Sequence, residues 1–304
     1  MNSDIKRIRT DAPDPARQAL YRRAIYIAIG GNAILAIAKG LLAWLSGSSA
    51  VFSDAANSFS DMLYSLLMGL GLYLSQQPPD ESHPQGHSRF EPLVSLFIAL
   101  AMLSAGATAL WQSIQRFLSD ARPIDPFWPT IVLLLSALAK VVMYVLVKKI
   151  GEKSNSPAIR ASARDNLADI LTSLAALVGV LGSRFLWPAL DPVAGVLVAL
   201  WIFRATWEIM GENLGYLTGR GAPKELTQQI ASIASDVPGV INAHRVVADY
   251  VGPQLRVDMH IDVNPQITLE YAHEIAEDVR ERIEQMIEVD LVFVHVEPAH
   301  KNVK

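Results

Sequence analysis

Cysteine is absent from this 304-residue chain, and charge of either sign is scarce over much of its length. Without cysteine there are no disulfides and no thiolate ligands, which leaves His, Asp, Glu and Asn as candidate metal ligands. The net charge is only −4, so no strong field indicates a nucleic-acid partner. Residues 1–23 lack the apolar core of a signal peptide, and we therefore expect the first apolar segment to stay in the protein as a helix.

Apolar residues dominate what is present, at 51% of the chain, against about 45–50% in soluble domains. They are concentrated between residues 24 and 215, and a membrane span needs about 20 of them in succession. Six segments are predicted to be spans: 24–45, 50–75, 92–117, 127–147, 160–183 and 189–210. We therefore predict a cytoplasmic tail over residues 1–23, an all-α six-helix transmembrane domain over 24–212, and a cytoplasmic domain over 213–304.

Loop charges indicate the orientation of these spans. Basic residues are concentrated in the N-terminal tail and in the connection between the fourth and fifth spans, whereas the alternate loops hold few. Loops rich in Lys and Arg stay in the cytoplasm. Both termini are therefore predicted to be cytoplasmic, and the even number of spans agrees with this because it places both termini on the same side of the membrane.

After residue 221 the pattern becomes that of a soluble domain. Residues 224–236 and 268–288 favour helices, while 241–251, 254–263 and 291–298 alternate like strands. The order αββαβ predicts a small α+β domain of ferredoxin-like type. From residue 221 onward there are 14 acidic and 7 basic residues and five of the seven His. An acidic, His-rich domain suits cations, although a solvated acidic surface explains the Glu-rich helix equally well.

Two spans carry carboxylates at helical spacing. Asn57 and Asp61 are four residues apart, as are Asp165 and Asp169, so each pair lies on one face of its helix. If the two faces meet, they form an all-oxygen pocket. Each carboxylate in the middle of a span costs about 2.5–3.5 kcal/mol, and neighbouring carboxylates repel. A divalent cation would remove both penalties, and the protons it displaces would couple its movement to the proton gradient. The alternative is a set of structural polar contacts between helices.

Two further clusters contain imidazoles. Asp80, His83 and His87 follow the second span at a spacing plausible for metal ligands, although His and Asp are also common in ordinary loops. His244, His260, His273 and His295 lie in the C-terminal domain, with Glu297 close to the last. A single His on a strand is more often structural, but four in one small domain favour metal binding.

These residues together resemble the cation diffusion facilitator family over nearly the whole chain. SDAANSFSD (53–61) and ARDNLADILTS (163–173) are similar to its second- and fifth-span signatures, and HPQGHSRFEPL (83–93) to the loop before its third span. AHRV (243–246), MHID (259–262), AHEIAED (272–278) and VHVEP (294–298) are similar to its metal-holding tail segments.

The resemblance implies a homodimeric divalent-metal/proton antiporter in a bacterial cytoplasmic (inner) membrane. The expected partners are metal ions, protons and the lipid bilayer, and an enzyme is not expected because no nucleophile–base arrangement is visible in the sequence. The implied transport site is Asn57, Asp61, Asp165 and Asp169, and the implied loop site is Asp80, His83 and His87. The implied tail sites, near the dimer interface, are His244, His260, His273, His295 and Glu297.

The expected metal depends on the donors of the transport site. Zinc-transporting members usually have His at the position of Asp165, whereas the manganese-exporting members resemble the all-oxygen pattern of this chain. Carboxylate and carbonyl sets suit Mn²⁺, whereas Zn²⁺ favours N and S ligands. We therefore expect Mn²⁺ first, Fe²⁺ next, and Zn²⁺, Co²⁺ or Cd²⁺ after them. The remaining alternatives are a non-transporting metal sensor and an organic-cation transporter on a similar scaffold.

Overall fold

The computed structural model describes residues 15–46, 49–118, 127–185 and 190–299. The chain divides into two compact units, the first ending at Asn213 and the second beginning at Leu214.

The first unit is built of six long helices. They are α1 (Pro15–Ser46), α2 (Ser49–Ser75), α3 (Phe90–Leu118), α4 (Phe127–Ser154), α5 (Pro157–Phe185) and α6 (Leu190–Leu217), the last of which ends in the second unit. Each predicted span coincides with one of these helices, and most of the helices extend beyond it. Four of them, among the residues that the structure describes, are long and apolar enough to cross a membrane, namely α1, α3, α4 and α6. The two that are not among these four, α2 and α5, carry the polar stripes of the predicted site. That all six helices span the membrane remains a prediction.

Packing within this unit places α2, α4 and α5 next to one another. Helix α1 packs on α2 and α4, α4 packs on α5, and α3 packs on α2 and α5. Large apolar side chains, among them Tyr21, Met68, Leu72 and Met102, fill the interior. Many others remain on the outside, such as Leu138 and Trp207. An outer surface of this kind suits hydrocarbon better than water.

The second unit has the predicted order of elements. It contains α7 (Lys224–Ser235), β1 (Asn242–Val251), β2 (Gln254–Val263), α8 (Leu269–Glu284) and β3 (Val289–Pro298). The sheet order is β1-β2-β3; β1 and β2 are antiparallel, and β2 and β3 are parallel through the α8 crossover. This is a small α/β domain with a three-stranded sheet, and its assignment as ferredoxin-like remains a prediction.

Strand β2 shows why this sheet has one apolar and one polar face. Its side chains alternate strictly, with Leu255, Val257, Met259, Ile261 and Val263 buried and the intervening residues partly exposed. Successive side chains of a strand point to opposite faces, so its polar residues share the other face. A two-residue turn joins β1 to β2, and its first residue, Gly252, has a φ of +71°, which a side chain would oppose.

Candidate metal sites

The interior of the helical unit holds a cluster of charged side chains from three helices. Asp61 of α2 is 8% exposed, and Lys140 of α4 is 3% exposed. The Nζ atom of Lys140 lies 3.0 Å from Oδ2 of Asp61 and 2.5 Å from Oδ2 of Asp169 on α5. Asp165, one turn before Asp169, is close enough to Asp61, Asp169 and Lys140 for its charge to interact with theirs. The structure thus brings together the three carboxylates that the sequence singled out.

The position of Asp61 follows from the amphipathic pattern of α2. Ser58, Asp61, Ser65, Met68 and Leu72 are all buried, and their spacing of three or four residues defines one face of a helix. The opposite face carries exposed leucines (Leu63, Leu66, Leu67 and Leu70). Asn57 lies on the same helix one turn before Asp61, but its side chain is outside the described part of the structure.

A second polar layer supports Asp61 from α1. The amide nitrogen of Asn32 donates to Ser65 Oγ at 2.7 Å, and the Ser65 hydroxyl donates to the backbone carbonyl of Asp61 at 2.9 Å. Lys39, also on α1, is buried and contributes its positive charge to the surroundings of Asp61. These contacts fix the turn of α2 that carries the carboxylate.

Neither Lys140 nor Lys39 was predicted from the sequence. Each is a single cation within a long apolar segment. Ionisable groups inside a span are costly and usually functional, and this principle applied to lysines would have identified both residues. That Lys140 meets Asp61 and Asp169, however, depends on how α4 packs against α2 and α5.

The loop after α2 brings Asp80, His83 and His87 together. One ligand atom from each lies within 4.8 Å of the others, and the imidazole rings of the two His are 4.4 Å apart. The backbone N–H of His83 donates to Asp80 Oδ1 at 2.6 Å. This hydrogen bond lowers the pKa of the Asp80 carboxyl and keeps it ionised. The buried Nδ1 of His87 has no hydrogen-bond partner among the described residues. Two imidazoles and a carboxylate form a set of donors that suits a transition metal.

The polar face of the C-terminal sheet carries a row of three imidazoles. His244 of β1 is directly opposite His260 of β2, which is directly opposite His295 of β3. An irregularity in β1 follows His244, where Arg245 has a φ of +48°. The resulting ring centroids are 5.6 Å and 4.8 Å apart.

Two overlapping groups on this face could each hold a metal ion, and both include Glu297. The first is His260, His295 and Glu297, and the second is His244, Asp262 and Glu297. Nδ1 of His260 lies 2.7 Å from Oε1 of Glu297, and this hydrogen bond lowers the pKa of the glutamate carboxyl. Oε2 of the same glutamate is 3.7 Å from His244 Nε2.

One member of this face was not predicted from the sequence, and one predicted ligand lies elsewhere. Asp262 was not predicted, although it lies two residues after His260 and therefore on the same face of β2. His273 was predicted as a ligand, but it is exposed on α8 and belongs to neither group among the described residues.

Comparison with known proteins gives the family of the chain. Residues 25–218 match the cation efflux transmembrane domain, and residues 222–299 match the cytoplasmic domain of cation efflux proteins. An uncharacterized transporter of Methanocaldococcus jannaschii is 33% identical, covering 90% of this chain and 97% of that protein. The manganese efflux system protein MneS of Bacillus subtilis is 26% identical, covering 90% and 93%. The magnetosome protein MamB of Paramagnetospirillum magneticum is 27% identical, covering 86% and 89%. The chain belongs to the cation diffusion facilitator family, whose members are membrane transporters that export divalent metal cations.

Proposed function

We propose that this protein exports Mn²⁺ from the cytoplasm in exchange for protons. The observation that carries the proposal is the convergence of the buried Asp61 of α2 with the partly exposed Asp165 and Asp169 of α5. The three carboxylates offer only oxygen atoms as donors. Asn57, one turn before Asp61 on the same helix, adds an amide group. Oxygen sets suit Mn²⁺, and two relatives are described as manganese efflux proteins.

Proton exchange follows from the chemistry of the same cluster. Three neighbouring carboxylates in a poorly hydrated interior repel one another unless protons or cations neutralise them. A divalent ion that binds there displaces protons, and its release takes protons up again. A transport cycle that alternates between a metal-loaded form and a metal-free form, in which Lys140 and protons together neutralise the carboxylates, therefore couples metal efflux to proton entry.

The orientation and assembly belong to the same proposal. Basic residues in the N-terminal tail and in the α4–α5 region support a cytoplasmic location for both ends of the chain, and the proposed membrane is the bacterial inner membrane. The cytoplasmic domain is of the type found in cation efflux proteins, and we infer that two copies associate through it.

The test is flux into proteoliposomes that contain the full chain, with Mn²⁺, Fe²⁺ and Zn²⁺ compared under the same pH gradient. We expect pH-driven Mn²⁺ flux that exceeds Zn²⁺ flux. Asp61→Asn and Asp165→Asn keep side-chain volume but remove a ligand charge, so each should lower Mn²⁺ flux at least about tenfold. Asp278→Asn, the same change on the exposed side of α8, is the matched control and should leave the flux unchanged.

Different outcomes contradict different parts of the proposal. Unchanged Mn²⁺ flux in Asp165→Asn would show that the site assignment is wrong. Zn²⁺ flux above Mn²⁺ flux would overturn the metal preference and leave metal export intact. If the protein binds metal but transports none of the three ions, the result would favour a non-transporting metal sensor.

A further inference from the structure

Lys140 lies where the metal ligands converge. Its ammonium nitrogen is 3.0 Å from Asp61 Oδ2 and 2.5 Å from Asp169 Oδ2. It therefore joins the two helices, α2 and α5, that supply the carboxylates of the proposed transport site. With only 3% of the residue exposed, these carboxylates are the polar partners that neutralise the lysine.

A metal ion and this ammonium would use the same oxygen atoms. A divalent ion bound by carboxylates lies about 2.0–2.2 Å from each ligand oxygen. An ion coordinated by Oδ2 of both Asp61 and Asp169 would take the two oxygen atoms to which Nζ of Lys140 donates. The like charges of the metal ion and the ammonium also repel strongly in an environment of low dielectric constant. Metal binding at these two oxygens and the Lys140 ion pairs therefore exclude each other.

We propose that Lys140 is a tethered competing cation, which pairs with Asp61 and Asp169 when the site holds no metal and is displaced by the metal that binds. The proposal rests on the proposed function, since it takes the same carboxylates as the transport site. It adds a residue of α4 that sets the affinity of the site. By returning to the carboxylates, Lys140 also favours metal release, because the departing ion leaves no unpaired buried charge.

A lysine with a purely structural role and a lysine that competes with the metal predict different changes in metal affinity when the side chain is removed. If Lys140 only holds α4 against α2 and α5, its removal loosens the site, and metal affinity falls or stays the same. If it competes with the metal, its removal raises affinity. The sign of the change in the Mn²⁺ dissociation constant therefore separates the two roles.

The experiment measures Mn²⁺ binding to the full chain in detergent from the electron paramagnetic resonance signal of free Mn²⁺. The component lost in Asp61→Asn defines the transport site and separates it from the loop and tail sites. Lys140→Met and Lys140→Gln should each lower the dissociation constant of that component at least about tenfold. The maximal rate of Mn²⁺ flux in proteoliposomes should fall, because release is no longer assisted. Lys148→Met, the same change at a half-exposed lysine of α4, should alter neither quantity.

Lys140→Arg supplies a test in the opposite direction and keeps the positive charge of the side chain. A guanidinium forms stronger, bidentate pairs with carboxylates than an ammonium does, so this variant should raise the dissociation constant. An unchanged or higher dissociation constant in folded Lys140→Met and Lys140→Gln would overturn the proposal. If neither of these variants folds, an unchanged or lower value in Lys140→Arg would overturn it. Since binding is measured without flux, a chain that binds but does not transport Mn²⁺ contradicts the proposed function and leaves this test valid.

Discussion

Buried charges in the helical unit have two kinds of surroundings, and Glu91 at the start of α3 illustrates the first. One of its carboxyl oxygens accepts a hydrogen bond from the Tyr21 hydroxyl of α1 at 2.7 Å, and the other accepts one from Ser156, just before α5. The Nε of Arg17 donates in turn to the Tyr21 hydroxyl at 3.0 Å. The two side chains that donate hydrogen bonds to Glu91 are neutral hydroxyls, which suit a structural connection. Asp61 and Asp169 instead share the charged side chain of Lys140, which the proposed substrate cation would replace.

The network around Glu91 predicts a selective loss of stability. Tyr21→Phe keeps the ring but removes the hydroxyl, which leaves one buried oxygen of Glu91 without that donor. An unsatisfied buried group of this kind costs about 1–3 kcal/mol. The thermal unfolding midpoint in detergent should therefore fall. Tyr26→Phe is the matched control on the same helix, because Tyr26 is 74% exposed, and its midpoint should equal that of the unmodified chain. Equal midpoints for both variants would contradict a stabilising role of the network.

At the scale of helices and strands, features that depend on local spacing could be predicted from the sequence, whereas contacts that depend on packing between helices could not. The pairs Asp165/Asp169 and Asn57/Asp61 could be recognised because helical period is a local property. The αββαβ order of the C-terminal domain could likewise be predicted from alternating apolar residues and from turn residues. That Lys140 is the partner of Asp61 and Asp169 could not be predicted in this way. Lys140 is distant from both in sequence and reaches them only because α4 packs against α2 and α5. Asp262 is a different case, because alternation along β2 would have identified it.

The contact between α2 and α3 makes a prediction that no local pattern contains. A Cβ atom at Gly71 of α2 would overlap the side chain of Val94 on α3, whereas one at Gly40 of α1 would meet nothing within 4 Å. Overpacking in a close contact costs about 1–3 kcal/mol. Gly71→Ala should therefore lower the unfolding midpoint, and Gly40→Ala should not. Adding Val94→Ala to Gly71→Ala should restore part of the loss. A Gly71→Ala chain as stable as the unmodified one would contradict this packing.

At the scale of the whole molecule, candidate binding groups are distributed over both compact units. The charged cluster of Asp61, Asp169 and Lys140 belongs entirely to the helical unit, and the imidazole row belongs entirely to the C-terminal unit. The groups also differ in chemistry, since the first has oxygen donors and the second mixes imidazoles with carboxylates. A substitution in one unit should therefore change the metal chemistry of that unit without removing the ligands of the other.

Glu297 allows this separation to be tested, because it belongs to both candidate groups on the sheet. Glu297→Gln removes a carboxylate from each group, and we expect the Zn²⁺ affinity of the tail to fall at least about tenfold. His244→Ala affects only one group and should have a smaller effect. His273→Ala is the control, and unchanged Zn²⁺ binding in this variant would confirm that the residue lies outside both groups. The measurement is Zn²⁺ equilibrium dialysis of the full chain, with one background change, Asp61→Asn combined with His83→Ala, present in every variant to remove the transport and loop sites. In proteoliposomes without that change, Glu297→Gln should retain Mn²⁺ flux at saturating metal, because Asp61, Asp165 and Asp169 are intact. Loss of flux at saturation would show instead that the tail ligands are required for the transport step itself.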